Sequence, residues 1–227
     1  MTVLVPLLFV VAPEPSIVNG IALQRLNDDV LVEAPLRPED SLAVTRDVEA
    51  AYARLHDAFG ADPTFRATVF VCRSARCKIA FGADPRAAHA ADLGFAAVTF
   101  AGPTPDRAVV VTGPNASTAG VLAHELVHAR MKSWAPYDAS PTWLNEGLAT
   151  AIADEPKCAR FGPSSELDVT ALVTKADWQA FLEATGDTLR TYCQARYATE
   201  AWSAFAGMRE LGAKARRAVS AARPGRR

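Results

Sequence analysis

The chain has almost no excess of charge: 24 Lys and Arg stand against 25 Asp and Glu, a formal net charge of −1 over 227 residues. No global field therefore gathers nucleic acid or an anionic membrane surface. Long apolar runs are scarce too. "VLVPLLFVVA", residues 3–12, is ten residues long, and a bilayer span needs about 20. Only four cysteines occur, at 72, 77, 158 and 193, and none forms the C-x-x-C spacing of a structural zinc knot. Internal repeats and long linkers are absent as well, which excludes a solenoid or a bead-like array and leaves residues 20–213 as one domain. Hydrophobic residues make up 50% of the chain and charged residues 22%. That composition, at this length, suits a single buried core rather than a disordered segment.

The two ends read differently from the middle. Residues 1–13 suit the apolar stretch of a signal peptide, or alternatively a buried strand, since no basic residue precedes the run and Pro13 follows Ala12 directly. Residues 214–227 carry six Lys or Arg and no acid, and read as a solvated basic tail. An even cysteine count without metal spacing fits an oxidising compartment, hence a chain exported to the periplasm or secreted; four reduced core thiols are the alternative. Cys72–Cys77 is the local pairing, and Cys158–Cys193 is what remains.

Between those ends the periodicity changes. Residues 16–35 show no long helical period and read as short strands or loop. Apolar residues at Leu42, Val44, Val48, Ala51, Tyr52, Leu55 and Phe59 recur at helical spacing, and Gly60 follows as a terminator. "ATVFVC" (67–72) reads as a strand, and 74–92 as helix or loop. "FAAVTFAG" (95–102) and "AVVVTG" (108–113) read as two strands around a "PTPD" turn, the second apolar enough to be internal. From Ser117 onward the pattern is helical. One helix holds "STAGVLAHELVHARM", a second starts at Ser140 as N-cap with Pro141 at its first position, and others lie near 177–185 and 195–211. Strands first and helices second point to an α+β fold.

His124 and His128 are four residues apart, so a helix projects both imidazoles from one face, one turn apart, where they can share a metal ion. Glu125 follows the first histidine, placed to deprotonate a water rather than to bind metal. Five residues alone leave a second reading open: an amphipathic helix with Leu122, Leu126 and Val127 in the core and the histidines hydrogen-bonded. A hydrolytic zinc takes three protein ligands and keeps one position open. Glu146, eighteen positions after His128 in "WLNEGLAT", is the candidate third ligand. It shares a helix with the apolar stripe Leu144, Leu148 and Ile152, on a face otherwise made of Ala149, Thr150 and Ala153. Gly147 is unfavourable inside a helix unless a neighbour must approach closely. Thr150, one turn on, is a candidate hydrogen-bond partner for a ligand histidine.

"HELVH" followed by "PTWLNEGLA" resembles the gluzincin metallopeptidases, and most closely the small bacterial peptidase MA-like proteins of that superfamily. The resemblance is strong over 115–155, weaker to about 211, and before 95 rests on the order of elements. It implies a zincin-like fold, with an N-terminal mixed sheet and helices, a mainly helical C-terminal lobe and a cleft between them. It implies zinc on His124, His128 and Glu146, with Glu125 as general base and acid. It further implies a tyrosine donor for the oxyanion, for which "TYCQARYATEAWSAF" offers Tyr197 first and Tyr192 second. No histidine follows Glu146, so a tyrosine or Arg196 must serve as that donor. No Gly-x-Met-Glu-Asn stretch precedes the helix, and exopeptidase activity is not implied.

The expected activity is hydrolysis of a peptide or protein bound in extended form along an edge strand, for which "FAAVTFAG" is the candidate. Nucleic acid and a stable membrane span are not expected, and the oligomeric state is not legible. The rival expectations are a zinc-binding module that holds a peptide or envelope partner with little turnover, and a helical protein carrying the motif by chance.

Overall fold

A computed structural model describes residues 15–62, 65–81, 98–101, 107–112, 119–134, 140–204 and 208–221. Its sheet begins with β1 (Ser16–Val18), β2 (Ile21–Arg25) and β3 (Val30–Glu33), which pair in succession as antiparallel neighbours. Helix α1 (Pro38–Phe59) then carries the chain back so that β4 (Arg66–Val71) lies parallel to β3. A parallel neighbour needs such a crossover. Short α2 (Ala75–Ala80) follows, with Cys77 bridged to Cys72 at the end of β4. Then come β5 (Val98–Ala101) and β6 (Arg107–Thr112). The strand order is β1-β2-β3-β4-β6-β5, with β6 parallel to β4 and β5 antiparallel to β6. The apolar "AVVVTG" run is therefore internal and β5 is the edge, as the composition of the two runs implies.

Period-two alternation sorts the side chains of β3 and β4 between the sheet's two faces. Val30, Val32, Val69 and Val71 join the main core, where Val48 and Leu55 of α1 meet residues of the later helices. Leu31 and Phe70 point the other way, into a smaller cluster with Ile21, Leu23 and the Cys72–Cys77 pair. The remaining helices are α3 (Ala119–Trp134), α4 (Thr142–Ala153), α5 (Lys175–Thr185), α6 (Thr188–Ser203) and α7 (Met208–Ala221). The α+β class, with a mixed sheet followed by a mainly helical region, is thus present.

Several boundaries move. The domain does not start at 20, because β1 pairs with β2 across Val18 and Ile21. It does not end at 213 either. Residues 214–221 belong to α7, whose Leu211, Ala215 and Val219 are buried in the main core. The basic residues occupy the rest of that amphipathic helix, so charge counting alone mistakes an amphipathic helix for a tail. Gly212 lets α7 seat on the end of α1, where a Cβ would lie 2.1 Å from the Ala58 carbonyl oxygen. The single periodic stretch expected over 195–211 is two helices, α6 and α7. At α4 the N-cap is Pro141 rather than Ser140, with no side-chain cap. The Thr142 and Trp143 N–H groups donate instead to the Val173 and Leu172 carbonyls at 2.9 and 3.2 Å. A tertiary contact does there what a cap side chain does elsewhere. The expected leader at 1–13, the "PTPD" turn and Ser117 lie outside the described residues.

Candidate metal centre

Helix α3 turns its apolar side into the core: Leu122, Leu126 and Val127 are fully buried with residues of the sheet and α1. That burial orients the remaining face, which carries His124, Glu125 and His128. Helix α4 is more deeply enclosed, each residue from Leu144 to Ile152 being buried. Its neighbours are α3 on one side and α6 on the other. Gly147 permits the second contact, since a Cβ there would lie 2.2 Å from both the Ala195 carbonyl oxygen and Thr199 Oγ1. The close approach that a mid-helix glycine implies is present. It keeps α6 tight against the helix that bears Glu146.

The three expected ligands come together. His124 Nε2 and His128 Nε2 are 3.1 Å apart, and Glu146 Oε2 is 3.4 and 3.3 Å from them. Donor atoms about 2.0–2.1 Å from one ion at tetrahedral angles lie roughly 3.3–3.4 Å from each other. The triangle therefore fits a small divalent cation, and the group can hold a metal ion. His128 and Glu146 are buried, while the His124 side chain keeps 17% of its surface exposed. The site is thus reached from the His124 side.

The electrostatics follow from this packing. Burial alone pushes the His128 imidazole towards neutrality. The Glu146 carboxylate outweighs burial by charge and hydrogen bond, and Glu125 and Asn145 add to it, so the His128 pKa rises to about 9. Glu146, which burial would raise, is held well below the usual carboxylate range by His128 and His124. Without metal the centre is an imidazolium–carboxylate pair, and a metal ion must displace its proton.

Asn145 is the residue that the sequence reading passed over. Its Oδ1 accepts from His128 Nδ1 at 2.8 Å, and the side chain is buried. This bond holds the ring so that Nε2 faces the other ligands, the outer partner a metal-binding histidine ordinarily needs. A buried amide directly before the ligand carboxylate, in an otherwise apolar run, was the available signal. Thr150 does not fill that role, because its Oγ1 donates to the Glu146 carbonyl at 2.8 Å within its own helix.

The tyrosines separate. Tyr192 on α6 lies with its ring centroid 5.8 Å from that of His124, and edge-on to Trp178 at 5.3 Å. The Tyr197 hydroxyl instead donates to the Cys158 carbonyl at 2.8 Å. Five residues on a helix turn roughly 140°, so the two cannot face one point. Arg196 is engaged with Glu200 at 2.9 Å and Asp154 at 3.7 Å, beyond the C-terminal end of α4. Of the three candidate donors, Tyr192 alone has a described contact with a ligand histidine. The second disulfide is Cys158–Cys193, which ties the segment after α4 to the residue next to Tyr192. Comparison with family models, curated proteins and solved structures returns no match.

Proposed function

We propose that the protein is a zinc-dependent peptidase of gluzincin type. The observation that carries this reading is the donor triangle of His124, His128 and Glu146, with edges of 3.1–3.4 Å and Glu125 in the next position of the same helix. Two imidazoles and one carboxylate in near-tetrahedral placement favour zinc over calcium or magnesium, which prefer all-oxygen shells. Bound there, the ion would polarise the scissile carbonyl and make an attacking water more acidic. Glu125 takes the proton of that water and returns it to the leaving amine. Tyr192, rather than Tyr197, donates to the oxygen that gathers charge. Asn145 keeps His128 in register throughout.

The substrate lies extended along β5, whose outer edge is unpaired among the described strands. Two disulfides support a place outside the reducing cytosol. No helix among the described residues is long and apolar enough to cross a membrane. The test is metal analysis of purified protein followed by cleavage of a peptide library with and without a chelator. About one zinc per chain is expected, with chelator-sensitive cleavage abolished in Glu125→Gln while zinc is retained. His124→Ala/His128→Ala should lose the metal. Undiminished cleavage by Glu125→Gln would remove that residue as the base. Full zinc without cleavage of any peptide would leave the binding-module reading in its place.

A further inference from the structure

The start of α5 is tied to the helix that bears the third ligand. Thr142 and Trp143 open α4 and donate their N–H groups to the Val173 and Leu172 carbonyls. The Thr142 hydroxyl donates to the Val173 carbonyl as well, at 3.2 Å. One residue on, Thr174 caps α5. Its Oγ1 accepts from the Asp177 N–H at 3.1 Å, and the Asp177 carboxylate accepts from the Thr174 N–H at 3.0 Å. This reciprocal pair occupies two donors that the entry to a helix leaves open. Trp178 follows directly, its N–H bonded to the Thr174 carbonyl at 3.0 Å. Its backbone is therefore placed from the same end of α4 that leads into Asn145 and Glu146.

The indole is 4% exposed, in a cluster with Val169, Leu172 and Ala195. Tyr192 of α6 packs half-buried against the same cluster. The Trp178 and Tyr192 ring centroids lie 5.3 Å apart with planes at 87°, and those of Tyr192 and His124 lie 5.8 Å apart at 53°. A chain of ring contacts thus runs from α5 through α6 to the metal ligand on α3.

Packing alone does not account for an indole at this place. Trp178 Nε1 is buried and has no hydrogen-bond partner among the described residues. A buried N–H left unpaired costs stability, and phenylalanine would fill much of the same space without that cost. The perpendicular planes offer an acceptor. Two rings at right angles meet edge to face, the edge being electropositive and the face electronegative. The N–H is the most positive part of an indole edge, and the ring face within its reach is that of Tyr192. Placement of that phenol has a consequence for rate, since a shift of about 1 Å in a reacting or stabilising group can cost about 10²-fold.

We propose that Trp178 is a positioning residue for the oxyanion donor: its N–H edge rests on the ring face of Tyr192 and holds the phenol beside His124. The proposal rests on the peptidase reading above, with Tyr192 as the donor. It gives α4 a second task. The helix that supplies Glu146 and Asn145 also fixes, through its N-terminal bonds to Leu172 and Val173, the ring that holds the donor.

Two readouts test it, one of them free of metal and of turnover. In the metal-free protein the four tryptophans give four indole N–H signals by two-dimensional proton–nitrogen NMR, and the signal lost in Trp178→Phe belongs to Trp178. On an aromatic face that proton is shifted upfield. It should move back downfield in Tyr192→Leu but not in Tyr192→Phe, which keeps the ring. Steady-state kinetics on the zinc-loaded protein is the second readout. Trp178→Leu should lower kcat about tenfold and Trp178→Phe less, with KM and zinc content unchanged, a size that an aromatic pair can supply. In a Tyr192→Phe background the same Trp178→Leu change should leave kcat within about twofold, because no hydroxyl remains to be positioned. Trp202→Leu, ten residues further along α6 and so roughly 15 Å away, should alter neither readout.

Equal loss from Trp178→Leu in both backgrounds would mark Trp178 as structural support alone and overturn the proposal. So would wild-type kcat in Trp178→Leu, or an indole signal indifferent to Tyr192→Leu. Should Trp178→Leu not fold, Trp178→Phe carries the same comparison. Chelator-sensitive cleavage that Tyr192→Phe does not slow removes the donor, and the role of Trp178 with it, but leaves the peptidase reading standing. A zinc-loaded wild type that cleaves nothing overturns that reading and the catalytic role together, whereas the metal-free spectrum decides the ring contact by itself.

Discussion

Gly147→Ala should damage both the fold and the metal centre, although it adds a single methyl group to a helix. The new Cβ would stand 2.2 Å from the Ala195 carbonyl oxygen and from Thr199 Oγ1, and 2.6 Å from the Ala195 carbonyl carbon. Ordinary contact begins at 3.4 Å, so α4 and α6 must part by 1.2 Å where they cross. A backbone carbonyl cannot rotate aside as a side chain can, and the Cys158–Cys193 bridge restrains α6 close by. Overpacking of this kind costs about 1–3 kcal/mol and sometimes more. Alanine recovers about 1 kcal/mol through its helix propensity. Taking the upper end of the first range, the net loss is about 2 kcal/mol, or a Tm lowered by roughly 4–8 °C for a domain of this size. Glu146 is the preceding residue, so the same shift opens the 3.3–3.4 Å edges of the donor triangle. Metal affinity should fall about tenfold or more, the range seen when groups that hold a ligand are disturbed. Thermal and urea unfolding of the metal-free protein measures the first effect, and competition with a chelator the second. Adding Thr199→Ala removes one of the close contacts but not the carbonyl, so rescue should be partial. A Gly147→Ala protein with wild-type Tm and metal affinity would refute the reasoning, and full rescue by Thr199→Ala would refute the part given to the backbone.

Tyr192→Phe should lower turnover by about 10²–10³ with metal content unchanged, whereas Tyr197→Phe should leave turnover intact and cost about 1 kcal/mol of stability through its lost bond to Cys158; the opposite pattern in steady-state kinetics would restore Tyr197 as the donor. Because the folded pKa of His128 is raised from 6.5 to about 9, its stabilisation of the metal-free protein is full below pH 6.5 and disappears as pH rises through about 9. The lowered pKa of Glu146 contributes above its ordinary 4.5 and is lost as pH falls from there towards its folded value. Metal must displace the His128 proton, so apparent affinity should climb about tenfold per pH unit between 6.5 and 8.5; a flat profile in buffer-corrected competition titrations would contradict the imidazolium–carboxylate pair. Replacing Cys158 and Cys193 with serine should cost about 4 kcal/mol in urea unfolding, given the 35-residue separation of the bridged positions. Unchanged stability in that variant would mean the bridge constrains nothing in the unfolded chain.

Much of the centre was legible because its determinants are local or nearly so. The His124–His128 spacing is a property of one helix, and Glu146 stands out as a carboxylate on an apolar one. Gly147 announced a close neighbour, and the pairing of four cysteines followed from Cys72 and Cys77 lying near one another. What distance along the chain could not decide was which partner arrives from elsewhere. Tyr192 and Tyr197 share a helix and a residue type, and only the seating of α6 on α4, with the bridge to Cys158, turns one towards His124 and commits the other to a carbonyl. Spacing pointed to Thr150 and not to Asn145, and only the packing of α4 against α3 put the amide against His128 and left the hydroxyl to its own helix. The basic end of the chain read as a tail because charge is counted residue by residue, whereas burial of Leu211, Ala215 and Val219 depends on α1 offering a surface to receive them. Periodicity and residue type determine which faces exist. Which faces meet is decided by packing between segments distant in sequence, and that information belongs to no single stretch of the chain.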